Sequence, residues 1–402
     1  MDYATCRQAI ASTLSPTATE SVSLQEGLTR VTAKDLFAKV PQPEFTQSMR
    51  DGYVVSYREN DTKELCIYSV AGVIQAGNTT ALSLAPGQAS RIMTGGMIPN
   101  GGSRVFAQEE CTVEETTLSI SPEAQNRSDS YIQKCGSQIA IDQKIVSAGS
   151  VITPDILSLL AAVGHQHLEV YRKPQVGYFC SGSELVDSVA ELHAGLKICS
   201  NRHLLEGSIK QAGGEPVYLG TVTDTDDKIR EMFSKIAESD FDVVISTGGM
   251  GPGKYDLIEQ CFRDCSGEVI YNRLNLIPGK NSLFGTIART LFFGLPGPPN
   301  AVRALMNSIV GPTLLELQGL STLYPQTIEA QLCDSISRRR SGMMQLTAAS
   351  LFFEHGKCLV KSVNKHDSVT CYVVFPPDKL GFSAGETVDI HLIVSPLSLS
   401  SF

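Results

Sequence analysis

The chain lacks what a membrane span or a nucleic-acid surface would need. No window of its 402 residues approaches 18 uninterrupted apolar positions, so no membrane-spanning helix is expected. The opening stretch MDYATCRQAIASTLSPTATES has no cationic segment followed by an apolar one, and it reads as an ordinary helix rather than a secretion signal. Basic residues are not in excess: 33 Lys and Arg face 42 Asp and Glu, and the net charge of -9 argues against nucleic acid as a partner. The cysteines are scattered without a CxxC pair, and Cys261 and Cys265 fall on one expected helix. Reduced thiols in a cytoplasmic protein are the expectation. His165 and His167 have no cysteine or carboxylate at ligand spacing, so they read as core or surface histidines rather than zinc ligands. No Ser–His–Asp arrangement is visible.

What the chain does have is length for two to four domains and a repeated strand–turn–helix pattern from about residue 175. QVGYFC, EPVYLG, DVVIS and RTLFFGL read as buried strands. NRHLLEGSIKQAG, DDKIREMFSKIAES, DLIEQCFRDC and PNAVRALMNSIVGPTLLELQG read as helices; Ile229, Met232, Phe233 and Ile236 share one face, and Pro299 sits near a helix start. This alternation predicts an α/β fold with a doubly wound, mostly parallel sheet. Residues 1–45 read as largely helical, 50–145 as a small antiparallel β domain, and 325–402 as a second β module after a linker at STLYPQTIEA.

Each strand of the repeat runs into a turn of unusual composition: SGSEL, TDTDD, STGGMGPGKYD, IPGK and GLPGPP. Ligands of doubly wound sheets bind beyond the carboxyl ends of the strands, so these turns are expected to line one crevice. Glycine lets the backbone approach an anion, and a following helix N-terminus favours negative charge. Lys254 and Lys280 are candidate cationic contacts, and Asp224, Asp256 and Glu184 are candidate carboxylates for Mg²⁺ beside phosphates. Asp224 has an alternative reading as a helix N-cap.

At these residues the chain resembles the molybdopterin molybdenumtransferase family, which includes MoeA and the gephyrin E domain. SMRDGYVV (48–55), RIMTGGMIPNGGSRVFAQEE (91–110), SGSELV, SNR, STGGMGPGKYD, IPGK and GLPGPPNAV are similar to family motifs and keep their order along nearly the whole chain. The resemblance implies four parts: a helical linker domain (1–48 and 146–173), an inserted β-rich domain (49–145), a molybdopterin-binding doubly wound domain (174–320) and a C-terminal β-barrel (325–402). It implies a homodimer whose site lies between the doubly wound domain of one subunit and the DGY and TGG segments of the other. The implied reaction is Mg²⁺-dependent: adenylylated molybdopterin and molybdate react, the adenylyl anhydride is cleaved, and molybdenum passes to the dithiolene. Molybdopterin adenylyltransferase and molybdoenzyme acceptors are the implied partners.

Carried over by motif, Asp51, Thr94, Glu184, Asp224, Asp256 and Lys280 are implied to act in the reaction, with Glu184, Asp224 and Asp256 at the metal. Ser181, Gly182, Asn201, Ser246, Thr247, Gly248, Gly249, Gly253, Lys254, Arg273, Pro278, Gly279, Pro296, Gly297 and Pro299 are implied to hold the cofactor.

The chain departs from the family at GSQ (136–138), Ser183, Cys199, Ile277 and Pro298, and its C-terminal module has no counterpart for the family's functional serine. Most of these changes remove charge. Two further readings therefore stand beside the transferase: a paralogue that binds molybdopterin or a related nucleotide without transferring metal, and a CinA-like protein acting on another nucleotide.

Overall fold

The computed structural model describes residues 1–58, 66–77, 83–251, 257–320, 325–339, 342–364 and 367–393. The chain divides into two compact units, one of residues 1–34, 148–154 and 167–402, the other of 35–147 and 155–166.

The first unit begins with helix α1 (Tyr3–Ala11), whose start is capped by the Asp2 carboxylate. Helix does not continue as expected. Pro16 and the β-branched residues around it turn the chain into a strand, Thr19–Ser23, paired antiparallel with His167–Tyr171. A 3₁₀ turn at Leu24–Gly27 is the other helical piece described before residue 48.

The central sheet contains β1 (Gln175–Ser181), β2 (Glu215–Val222), β3 (Val243–Thr247), β4 (Glu268–Tyr271), β5 (Leu283–Ile287) and β6 (Thr290–Leu295), in spatial order β2-β1-β3-β6-β5-β4. The first four of that order are mutually parallel, β5 runs antiparallel to β6, and β4 runs antiparallel to β5. Strand residues alternate between two cores. Tyr178, Ile245 and Phe293 face a cluster with Cys6 and Ile10 of α1 and Leu205 and Ile209 of α2 (Ser200–Gln211). Phe179, Val244 and Phe292 face a second cluster with Ile229, Phe233 and Ile236 of α3 (Asp226–Ala237) and Ile258 and Phe262 of α4 (Ile258–Asp264). Each such buried aromatic or aliphatic side chain stabilises the fold by roughly 1.5–3 kcal/mol, and the two-residue period of the strands is what builds a core on both faces.

The predicted long helix forms as three consecutive pieces, Pro299–Leu305, a π-helical turn Met306–Val310, and Gly311–Leu317, together called α5. Pro312 explains the interruption. It has no N–H to donate to the carbonyl of Ser308 four residues earlier. That carbonyl instead accepts the hydroxyl of Tyr3, at 2.8 Å.

Beyond residue 325, five strands (Thr327–Leu332, Met344–Glu354, Lys357–Ser362, Cys371–Phe375 and Thr387–Leu392) close on themselves, because Met344–Glu354 pairs with both Lys357–Ser362 and Cys371–Phe375. The short strand Leu276–Ile277 adds to this barrel in parallel with Met344 and Gln345.

The second unit holds a six-stranded sheet in the order Arg104–Ala107, Gly52–Val55, Gln88–Ile92, Cys66–Ile74, Thr117–Ile120, Cys111–Glu114. It is mixed rather than wholly antiparallel: Cys66–Ile74 runs parallel to Gln88–Ile92. The stretch between these two strands is long enough for the crossover that a parallel pair requires. Gly52 lies so close to its neighbour that a Cβ would sit 1.9 Å from the Phe106 carbonyl oxygen.

Candidate active site

The turns that leave the parallel strands converge on one crevice of about 710 Å³ in the first unit. Ser181, Gly182 and Glu184 arrive from β1, Asp224 from β2, Thr247, Gly248 and Gly249 from β3, and Pro296, Gly297 and Pro299 from β6. The start of α2 contributes Asn201. The volume suits a ligand of several fused rings with a phosphate.

Asn201 is buried and ties the walls together. Its Nδ2 donates to the carbonyl oxygen of Gly297 at 2.8 Å and to the Thr247 hydroxyl at 3.4 Å, while its Oδ1 is buried with no hydrogen-bond partner. A buried acceptor without a donor costs about 1–3 kcal/mol, which a ligand N–H or O–H would recover. At Gly248 the backbone adopts φ +95°, and a Cβ would stand 2.1 Å from the Ser181 carbonyl oxygen. This turn therefore needs glycine both for its conformation and for its closeness to β1.

The carboxylate of Asp224 accepts a hydrogen bond from the Ser181 hydroxyl, and the Asp224 amide donates to Ser183 Oγ at 3.2 Å. The N-cap alternative is not what forms, since Thr225 occupies that position at the head of α3. Glu184 and Asp224 thus both face the crevice. Two carboxylates beside a phosphate-sized space fit Mg²⁺, which is held through one or two carboxylates plus substrate phosphates. Among the described residues, no three His, Cys, Asp or Glu side chains gather as a metal cluster.

Other expected residues lie elsewhere. Ser246 is fully buried with its hydroxyl unpartnered; strand alternation turns it away from the side that Thr247 presents. Arg273 and Lys280 are exposed and do not line the crevice, the loop between them being closed by the Leu274 amide on the Lys280 carbonyl. Gly279 is packed beneath Leu305. Gly253, Lys254 and Asp256 lie outside the described residues. Asp51 and Thr94 belong to the second unit and are bonded to each other. The Thr94 amide and hydroxyl donate to Asp51 Oδ1 at 2.7 and 2.8 Å, which holds the Asp51 carboxyl below its ordinary range. His165 Nε2 lies 2.8 Å from the Phe37 carbonyl oxygen.

Pro278 lines a different cavity of about 270 Å³, together with Asn300, Arg303, Gln345, Thr347 and Tyr372. Tyr372 is 2% exposed and its Oη has no hydrogen-bond partner; burial pushes its phenol well up. Arg303 has no acidic partner among the described residues. Sequence reasoning missed Arg303 and Tyr372, and it missed Lys197, the one cation among the described residues of the main crevice.

Two family models match the chain: the MoeA N-terminal region (domain I and II) over residues 1–164, and the probable molybdopterin binding domain over residues 178–316. The chain is a member of the MoeA family. Curated relatives span nearly all of it. A molybdopterin molybdenumtransferase of Haemophilus influenzae is 29% identical over 386 residues, 94% of both chains. One of Staphylococcus epidermidis is 27% identical over 93% of this chain and 91% of its own. The solved MoeA protein of Pyrococcus horikoshii has the same fold, with a TM-score of 0.83 at 24% identity over 98% of both chains. The α/β multidomain fold expected from sequence is therefore the MoeA fold. The barrel lies beyond both family models, but within the span shared with these full-length relatives. No helix among the described residues is long and apolar enough to cross a membrane.

Proposed function

We propose that this protein acts in molybdenum cofactor biosynthesis as a molybdopterin molybdenumtransferase, taking adenylylated molybdopterin and molybdate and releasing AMP. The observation that carries this reading is the convergence of the post-strand turns on one crevice that contains a buried, donor-seeking acceptor on Asn201. Relatives that bear this enzyme name along nearly their full length support it.

In this reading the glycine turn Gly248–Gly249 and the N-terminus of α2 hold the phosphate end of the substrate. Asn201 Oδ1 accepts a donor from the pterin. Glu184 and Asp224 hold Mg²⁺, which when bound neutralises charge on the phosphoanhydride. Lys197 supplies the crevice with positive charge. In the neighbouring cavity, the guanidinium of Arg303 and the hydroxyl of Tyr372 form a donor set for a tetrahedral oxyanion such as molybdate. The protein works as a homodimer in which the Asp51–Thr94 segment of one copy completes the crevice of the other. An adenylyltransferase supplies its substrate and molybdoenzymes receive its product.

The test is reconstitution of an apo-molybdoenzyme with this protein, adenylylated molybdopterin, molybdate and Mg²⁺. Molybdate-dependent AMP release with recovered enzyme activity is expected. Tight binding of the pterin without AMP release would replace the transferase with a binding-only paralogue, and failure to bind would overturn both readings. Sedimentation equilibrium tests the dimer.

A further inference from the structure

We propose that Asp187, which does not itself line the crevice, is a positioning residue that fixes one of the crevice walls to β2. Residues 182–199 leave β1, run outward and return to the start of α2 as a strap. Its two ends pair in parallel, Leu185–Val186 with Lys197–Ile198. The Lys197 amide donates to the Glu184 carbonyl oxygen at 2.8 Å, and the Cys199 amide donates to that of Val186 at 2.9 Å. Glu184, Leu185, Lys197 and Ile198 all line the crevice, so the strap is one of its walls.

The Asp187 carboxylate is held from β2, the edge strand of the central sheet. Tyr218 Oη donates to Asp187 Oδ1 at 2.9 Å. Thr221 Oγ1 lies 3.2 Å from the same oxygen and 2.8 Å from Tyr218 Oη. In a regular strand, two residues three apart point to opposite faces. Here the pairing of β1 with β2 shifts between Tyr178 and Phe179, and Gly220 takes φ +110°. The extra residue turns Tyr218 and Thr221 to one side, where a single carboxylate meets both. The Tyr218 ring is fixed in turn, with the Arg202 guanidinium carbon 4.4 Å from its centroid and the Tyr178 ring 5.2 Å away.

Nothing else of this kind secures the outer part of the strap. Residues 187–195 are exposed, so no core packing holds them. The side-chain hydrogen bonds of Ser188 and His193 stay within the strap. Asp187 is the side chain that reaches out of it, and an ionised acceptor makes hydrogen bonds roughly twice as strong as a neutral one. Without this tether the Leu185–Val186 and Lys197–Ile198 pair is free to swing, carrying the Lys197 cation and the Leu185 and Ile198 walls away from a bound ligand. Asn201 keeps its own tie to Gly297. The effect on pterin affinity rests on the function proposed above, whereas the tether itself does not.

The experiment compares the full-length parent with Asp187→Ala, Asp187→Asn and Tyr218→Phe. It reads affinity for adenylylated molybdopterin by calorimetry, melting temperature, and hydrogen exchange in peptides across the chain. Asp187→Ala should speed exchange over residues 185–199 alone and weaken pterin binding about tenfold, with melting temperature nearly unchanged. Asp187→Asn keeps an acceptor for both hydroxyls and should bind within about threefold of the parent. Adding Tyr218→Phe to Asp187→Ala should weaken binding no further, since both changes break the same bond. Parent-like strap exchange and affinity in Asp187→Ala overturn the proposal, as does an equal affinity loss in Asp187→Asn. Faster exchange across the whole chain makes Asp187 a residue of general stability and also overturns it. Faster strap exchange with unchanged affinity overturns the effect on the crevice. A parent that binds no pterin overturns the molybdopterin reading, while exchange in the strap still decides the tether.

Discussion

Asn201 holds Gly297 across the crevice, its side-chain amide nitrogen 2.8 Å from the glycine carbonyl oxygen. The contact joins the start of one helix to the turn before another, 96 residues later in the chain. Replacing Asn201 with Ala removes this tie and the free acceptor together. Pterin affinity measured by calorimetry should fall by about tenfold to a hundredfold, equivalent to about 1–3 kcal/mol. An unchanged affinity would remove Asn201 from the ligand site.

Asp224→Asn and Glu184→Gln keep the shape of the crevice and remove one negative charge each. Both variants should bind pterin without Mg²⁺ as the parent does, yet need more Mg²⁺ for half-maximal AMP release. Magnesium titrations that superimpose on the parent would place the metal elsewhere.

The second cavity makes a separable prediction. Arg303→Met should raise the molybdate concentration needed for turnover by about tenfold or more, and Tyr372→Phe should do so less strongly, because a charged donor outweighs a neutral one. Pterin binding should be unaffected in both. A loss of pterin affinity with molybdate dependence intact would overturn the assignment.

Tyr3→Phe probes the break in α5. Without the hydroxyl, the Ser308 carbonyl loses the bond that stands in place of the N–H that Pro312 lacks. Stability in urea should fall by about 1–2 kcal/mol, with pterin affinity preserved. Parent-like stability would mean that water serves this carbonyl equally well.

His391 gives a pH dependence. It packs beside the Tyr3 ring with Asp389 nearby, and burial pushes it from 6.5 down to about 4. The folded protein keeps this ring neutral while the unfolded chain protonates it near 6.5. The stabilisation is therefore complete above that pH and is lost as pH falls from 6.5 toward 4. The loss should reach about 3 kcal/mol. His391→Gln should flatten this part of the curve of melting temperature against pH, and parallel curves for variant and parent would refute the assignment.

The doubly wound domain was legible because its strands and helices carry strong, regular periods, and because each turn motif sits where such sheets bind ligands. Asp224 and Thr247 stand in such turns, whereas Asn201 came only from the resemblance of SNR to a family motif. Ser246 was not separable from Thr247 by motif alone, since only the pleat of β3 decides which of two adjacent hydroxyls meets the crevice. Arg273 and Lys280 were credited to the crevice for their charge, but a closed loop carries them away from it. The N-terminal segment was read as helical from its first turn, before Pro16 and its β-branched neighbours redirect the chain. Arg303 and Tyr372 meet only through tertiary packing between α5 and the barrel, for which no local pattern exists.

Because Thr225 rather than Asp224 stands at the head of α3, the aspartate is released from any duty to the helix behind it. Substitutions at this position can alter the charge of the crevice without unravelling α3. Lineages drifting away from metal transfer can therefore lose this carboxylate first and stay folded, whereas a one-residue deletion in the turn would bring the aspartate to the cap and disarm the crevice while leaving the fold intact.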